Sequence, residues 1–177
     1  MRIRNNARGF ALIDILFVCG ILGILSAIAL PRMLMARQAA GAASAIGSMR
    51  TISSAQLTYA LTCGGGFYAP RLTVLGTPPA GSNTPYISPT LGRDDSINQS
   101  GYTIQMMATP FAPAPPTCNG LAAGESGQGF KAGADPLEPA NKRYFSLNSN
   151  GQIFEDSASL FAGMPEAGDS PTGHVLR

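Results

Sequence analysis

The chain has 177 residues, of which 45% are hydrophobic and only 12% are charged, and its formal net charge is +2. The length suffices for one modest domain, and the charged fraction is about half the level usual in soluble domains. The small net charge excludes a broadly basic nucleic-acid-binding domain. With 21 glycines and 14 prolines, the composition predicts an exported protein with much irregular backbone.

An apolar segment follows a short basic tip at the N-terminus. From Phe10 to Leu30 the only charged residue is Asp14, and the segment is long enough to cross a hydrocarbon core of about 30 Å as a helix. Arg2, Arg4 and Arg8 precede it. Because positive residues stay on the cytoplasmic side, the tip is expected inside and the remainder exported.

Two ordinary interpretations of this segment remain open. A secretory signal peptide could be cut after Ala29, where residues 27–29 read Ala-Ile-Ala, and release a soluble product such as an enzyme. Alternatively, an uncut signal anchor could hold a monomeric exported binding module in the membrane. Neither interpretation accounts for the carboxylate of Asp14 near the start of the apolar run, where a charge is costly.

A third interpretation comes from the residues around that carboxylate. The stretch Gly9-Phe10-Ala11-Leu12-Ile13-Asp14, after a short basic leader, resembles the class III signal of type IV pilins and type II secretion pseudopilins. The resemblance implies that a prepilin peptidase cleaves after Gly9 and N-methylates Phe10. The family usually has Glu where Asp14 stands and Thr where Ala11 stands.

The resemblance also implies how subunits assemble. Cleavage creates an ammonium group on Phe10, and a buried ammonium needs a charged partner. In the family scheme Asp14 of one subunit faces the Phe10 amine of its neighbour and sets the axial register. Pro31 matches a proline common in family members and is expected to loosen the helix locally, because proline lacks a backbone donor.

The helical pattern continues beyond this proline to about Thr62, so the whole helix would be about 80 Å long. Residues 32–62 contain no further proline and are expected to be amphipathic, with one side packed on a small domain. The small residues 39–45 suit close packing against another helix. Cys63 and the glycines 64–66 should end the helix. A loop follows over residues 67–100, with one short helical turn at 71–75.

Three strands are predicted after this loop, at 102–107, 143–148 and 151–155. The last two read as a hairpin, with Ser149 and Asn150 between them. Residues 108–141 are rich in proline and glycine and are expected to lack extended regular structure. The tail from Phe161 onward is expected to be poorly ordered.

The cysteines and the remaining polar residues predict one disulfide and no catalytic or metal site. Cys63 and Cys118 lie in the exported part and are expected to pair, although two free thiols remain the alternative. A bond between them would stabilise the fold by about 4 kcal/mol in the chain-entropy model. Cys19 lies within the apolar run. The stretch at 148–151 bears a faint similarity to a calcium loop, but an ordinary turn is the preferred interpretation. No cofactor, metal site or catalytic set is predicted.

The predicted architecture is therefore α+β, with a long N-terminal helix packed on a small antiparallel sheet. The predicted organisation is a cleaved leader at 1–9, a transmembrane and filament-core helix at 10–31, an amphipathic continuation at 32–62, and a loop-rich head at 63–177. The resemblance implies self-assembly into a homo- or hetero-polymer, with a prepilin peptidase, an inner-membrane platform and a cytoplasmic ATPase as partners. It places the chain in the inner membrane first, with its N-terminus inside, and then in a periplasmic or extracellular filament.

Overall fold

The computed structural model describes residues 12–176, which form two helices and six strands. The chain divides into two compact units, Met1–Ala39 and Ala40–Arg177. The described residues of the first unit are all helical. The second unit contains the rest of the first helix together with every described strand.

The first helix, α1, spans Leu12–Thr62 and ends where the sequence predicts. The glycine run closes it, because Gly65 and Gly66 adopt φ angles of 60° and 94° that other residues rarely reach. The backbone N–H of Gly66 donates to the carbonyl of Ala60 at 2.9 Å. The short second helix, α2, spans Leu72–Leu75 and confirms the predicted turn.

The six strands form one antiparallel sheet in chain order, β1 to β6, in which each strand pairs with the next. The α+β architecture with a long N-terminal helix packed against an antiparallel sheet is thus confirmed. Three strands match the predicted ones closely, and three were not predicted. The strands are β1 (Ser96–Gln99), β2 (Tyr102–Met107), β3 (Lys131–Pro136), β4 (Tyr144–Asn148), β5 (Ile153–Asp156) and β6 (His174–Val175).

The main core lies between one side of α1 and one face of the sheet. Met49, Ile52 and Tyr59 point inward from the helix at helical spacing and are fully buried. Phe145 and Leu147, two residues apart on β4, meet them from the sheet and are also fully buried. Residues 40–62 therefore have the amphipathic character that the sequence predicts.

The small residues in this part of α1 contact the sheet rather than a second helix. Gly41 is buried, and a Cβ atom there would lie only 2.6 Å from the carbonyl oxygen of Ser100 in the β1–β2 turn. The ring of Tyr102 lies beside the same glycine. The expectation of helix-on-helix packing is therefore wrong for Gly41 within the described chain, since a tight turn occupies that space.

Strand β3 corrects the expectation that residues 108–141 are irregular. All six of its residues pair with β2, and four of them also pair with β4. Its centre is the small sequence Ala132-Gly133-Ala134. Phe161 packs against Gly133 on the face away from α1, and a Cβ atom at that glycine would lie 2.8 Å from the Phe161 Cβ. The small residues of β3 thus allow α1 to pack on one face of the strand and Phe161 on the other.

The hairpin of β4 and β5 is confirmed, but its turn is longer than predicted. The last register pair is Leu147 with Ile153, so that residues 148–152 form the connection. Gly151 takes a φ of 76°, and its N–H donates to the carbonyl of Asn148 at 2.9 Å. A two-residue turn at Ser149 and Asn150 would shift the register by one residue and is wrong.

The C-terminal segment is also more ordered than predicted. Strand β6 pairs with β5, with Val175 opposite Phe154. Leu160 and Met164 form a second small core with Phe154 on the face of the sheet away from α1. The expectation of a disordered tail is wrong, because this segment supplies the apolar cover of that face.

Candidate functional site

The surface of α1 from Leu12 to Ala39 is the most unusual feature of the molecule. An 18-residue window within this helix has a mean hydropathy of 2.5, and none of that window is buried. Fifteen large hydrophobic side chains are exposed there, and they point in every direction around the helix. They are Leu12, Ile13, Ile15, Leu16, Phe17, Val18, Ile21, Leu22, Ile24, Leu25, Ile28, Leu30, Met33, Leu34 and Met35. A helix that is apolar on all sides belongs in a membrane or inside a larger assembly.

The energetic penalty for leaving this surface in water is large. Burying one large apolar side chain stabilises by about 1.5–3 kcal/mol, so fifteen of them represent on the order of 30 kcal/mol. That exceeds the net stability of a typical domain, about 5–15 kcal/mol. Helix α1 is a candidate membrane span by its length and composition. Its apolar surface therefore requires lipid or other protein to cover it.

The predicted assembly residues fall partly on this surface. Asp14 lies in the first turn of α1 and is exposed, with no hydrogen-bond or ion-pair partner among residues 12–176. Pro31 lies inside the helix, which continues through it without a break. Cys19 is exposed with a free thiol. The predicted cleavage and methylation residues, Gly9 and Phe10, lie outside the described residues.

The two remaining predicted residues do come together. Cys63, directly after α1, and Cys118, in the loop between β2 and β3, form a disulfide with their Cα atoms 5.0 Å apart. The bond spans a sequence separation of 55 residues. The backbone N–H of Cys118 also donates to the carbonyl of Cys63 at 3.4 Å. The pairing of these cysteines is thus shown, and it ties the long loop to the end of the helix.

A buried glutamine that the sequence analysis missed connects α1 to the loop after it. Gln56 is fully buried, and its amide donates to the carbonyl of Ala69 at 2.8 Å and accepts from the N–H of Ala69 at 2.9 Å. The same amide nitrogen lies 3.1 Å from the sulfur of Met106 on β2. This side chain satisfies both backbone groups of a buried residue as a neighbouring strand would.

Asn148, which the sequence analysis placed in a turn, holds the C-terminal segment, and that role was not predicted. Its buried amide donates to the carbonyls of Pro165 and Gly168 at 3.1 and 2.7 Å. Glu166 adds to this connection, because its carboxylate accepts from both the N–H and the hydroxyl of Thr109 at 2.7 Å. These contacts explain why residues around 165 are fixed. No periodic sequence signal identifies either amide, since their partners are distant in the chain.

The resolved pKa shifts in the head arise from burial and from one ion pair. Burial raises the pKa of Tyr59 and that of Tyr102, so both phenols stay protonated at neutral pH. A hydrogen bond from Arg143 holds the pKa of Glu155 below its ordinary value, with the two side chains 2.5 and 3.0 Å apart at their two contacts. In residues 12–176 there is no cluster of three His, Cys, Asp or Glu side chains that could hold a metal ion.

The described chain therefore presents two features that bear on function. The first is the exposed apolar surface of α1, and the second is a head whose loop is tied to the end of that helix by a disulfide. Comparisons with protein-family models, with curated proteins and with solved structures gave no match to this chain.

Proposed function

We propose that this chain is a structural subunit of a filament, either a type IV pilus or a type II secretion pseudopilus. The observation that carries the proposal is the uncovered apolar length of α1, which continues as one helix into an α+β head. A filament subunit uses such a helix twice. Lipid covers it before assembly, and the helices of other subunits cover it afterwards.

In this proposal the N-terminal residues have distinct roles. A prepilin peptidase cuts after Gly9, and Phe10 becomes the methylated first residue. The carboxylate of Asp14 pairs with the ammonium group of Phe10 in a neighbouring subunit. Pro31 loosens the helix, because it has no backbone N–H to donate to the carbonyl of Ala27. The resemblance of residues 9–14 to the class III signal supports these assignments, together with the exposure of Asp14 on an apolar helix.

The partners and location follow from the same proposal. The chain waits in the inner membrane with its N-terminus inside and its head outside. A cytoplasmic ATPase and a membrane platform then drive its addition to a growing homo- or hetero-polymer. The head meets the oxidising exterior, where the bond between Cys63 and Cys118 is stable.

The first test is the intact mass and N-terminal sequence of the protein from its native membrane or surface fraction. The proposal requires a chain that starts at N-methylated Phe10, with a mass lower by the two hydrogens of one disulfide. A start at Leu30 would show a conventional signal peptide and overturn the proposal. A start at Met1 would instead indicate a monomeric anchored protein.

A second test addresses Asp14 with a matched pair of variants. Asp14→Ala should be cleaved and should insert normally, but it should yield few filaments in a shear and pelleting assay. Asp14→Glu keeps the charge and should assemble. Gly9→Val should accumulate as an uncut precursor. Normal filament yield from Asp14→Ala would remove the proposed role of the carboxylate.

A further inference from the structure

The head contains a groove between α1 and the β4–β5 turn, with a volume of about 360 Å³. Its floor is apolar, with Phe130 buried beneath it and Leu57 exposed at its side. The rings of Tyr68 and Phe130 pack there with their centroids 5.1 Å apart. Arg50, Asn150 and three serines form the polar part of its lining. The groove is thus suited to an apolar side chain that carries a hydrogen-bonding or charged neighbour.

Arg50 gives this groove an uncompensated positive charge. The side chain is exposed and makes no ion pair or side-chain hydrogen bond within residues 12–176. No acidic residue lines the groove. An anionic group on an incoming partner could therefore pair with Arg50, because no acidic side chain among the described residues already does so.

Most carboxylates of the head are already engaged by a cation, a hydroxyl or a backbone N–H. The engaged ones are Asp94, Asp95, Glu125, Asp135, Glu155, Asp156 and Glu166. Only Glu138 and Asp169 have no such partner within residues 40–176. The head therefore offers two free acids as candidate partners for a free arginine.

Glu138 lies in a loop that exposes a large apolar side chain next to its carboxylate. Leu137, beside it, is an exposed large hydrophobic residue, with 53% of its surface accessible. Pro136 and Pro139 flank the pair, and the N–H of Leu137 donates to the carbonyl of Gly101 at 2.9 Å. Because this loop is already ordered, binding would cost little conformational entropy. Asp169 has no large apolar neighbour in sequence.

The groove and this loop lie at opposite ends of the sheet. The loop precedes β4 at Tyr144, and the groove includes Asn150 of the turn that follows β4 at Asn148. Five strand residues separate the two ends by about 17 Å. One molecule therefore cannot insert its own loop into its own groove, whereas a second copy can. In a filament such a contact is heterologous, because the loop of one copy meets the groove of the next, and it repeats into an open polymer where the rotation between copies does not close a ring.

We propose that the groove at Arg50 receives Leu137 and Glu138 of the next copy of this chain. The leucine fills the apolar floor and the carboxylate pairs with the guanidinium. This contact rests on the proposed filament function and adds to it a specific contact between heads. It gives each head one donor end and one acceptor end.

The test is site-directed cross-linking of the full chain in native membranes and filaments. Ser54→Cys at the groove and Ala140→Cys beside the loop are introduced together, with Cys19→Ser to remove the free thiol. A short bis-maleimide should give a ladder of multimers on a denaturing gel. Either single cysteine should give no ladder. A double variant that yields only dimers would overturn the heterologous contact.

Charge variants in the double-cysteine background identify the partner. Arg50→Glu should weaken the ladder about tenfold, because it places like charges together, and the further change Glu138→Arg should restore it. Asp169→Asn and Lys142→Gln are controls and should retain it. A ladder that survives Arg50→Glu, or that is lost in Asp169→Asn and kept in Glu138→Gln, would overturn the assignment.

Pelleting of the same samples separates this inference from the proposed function. Filaments that pellet without cross-links overturn the head contact alone. Chains that neither pellet nor cross-link overturn both.

Discussion

Gln56 provides the sharpest test of how α1 is joined to the head. Replacing it with methionine keeps the side-chain volume nearly constant but removes both hydrogen bonds to Ala69, which is itself fully buried. Each buried backbone group left unpaired costs about 1–3 kcal/mol. A small gain from the apolar side chain offsets part of that loss. The Gln56→Met variant should therefore lose about 3 kcal/mol of unfolding free energy.

The head supplies its own spectroscopic signal for this measurement. The chain has no tryptophan, and all five of its tyrosines lie between residues 40 and 177, so near-ultraviolet circular dichroism of the full chain in mild detergent reports on the head. With a urea slope of about 2 kcal/mol per molar, the midpoint should fall by about 1.5 M. Thr58→Met, exposed on the same helix, is the control and should move it little. Equal midpoints for the two variants would refute the reasoning.

Two further predictions use the same assay. The double variant Cys63→Ser and Cys118→Ser should lose about 4 kcal/mol through the greater freedom of its unfolded chain, and an unchanged urea midpoint would contradict this. Because the pKa of Glu155 is lowered in the folded head, its stabilisation is present above the unfolded pKa near 4.5 and is lost as pH falls through the folded value. Arg143→Gln should therefore cost less than about 1 kcal/mol at pH 7, since Arg143 is partly exposed, and this pH-dependent cost should vanish in acid. A difference that does not change with pH would contradict the assignment.

Local patterns were sufficient to predict the elements whose own residues favour them. Helix α1 was predictable because the glycine run after Cys63 marks its end. Strands β2 and β4 alternate side chains between the two faces of the sheet, and aromatic residues strengthen the signal. In these elements the local preference and the tertiary environment agree, so a short window of sequence carries enough information.

Strand β3 shows where this reasoning fails. Its residues, Lys131–Pro136, include alanine, glycine, aspartate and proline, which are all poor strand formers. It becomes a strand because β2 and β4 supply hydrogen-bonding partners on both sides. Gly133, which weakens the strand signal, is required by the close approach of Phe161. Tertiary demand therefore overrides local propensity at the centre of the sheet.

The candidate site divides in a similar way. The apolar surface and Asp14 were visible because composition alone makes them unusual. Gln56 and Asn148 were not, because a buried amide is recognised by the backbone groups it satisfies, and these come from segments 13 to 20 residues away. The groove at Arg50 likewise joins α1 to the β4–β5 turn, which no local pattern brings together.

The apolar surface of α1 does not by itself distinguish a filament subunit from a lipid-anchored monomer, since lipid covers such a helix equally well. The variant Asp14→Ala is expected to distinguish them. A carboxylate at the centre of a lipid-embedded helix costs about 3 kcal/mol relative to an apolar residue, and one in the first turn, like Asp14, costs less. Among the described residues of α1 the nearest positive side chain is that of Arg32, about 27 Å further on at the rise of a helix. A monomer that has no cation beside Asp14 would insert more readily after Asp14→Ala, whereas a filament subunit with the same change would lose the carboxylate that pairs with the ammonium group of its neighbour. Membrane insertion that is unchanged or better in Asp14→Ala, together with reduced filament yield, is therefore a result that lipid anchoring alone does not produce.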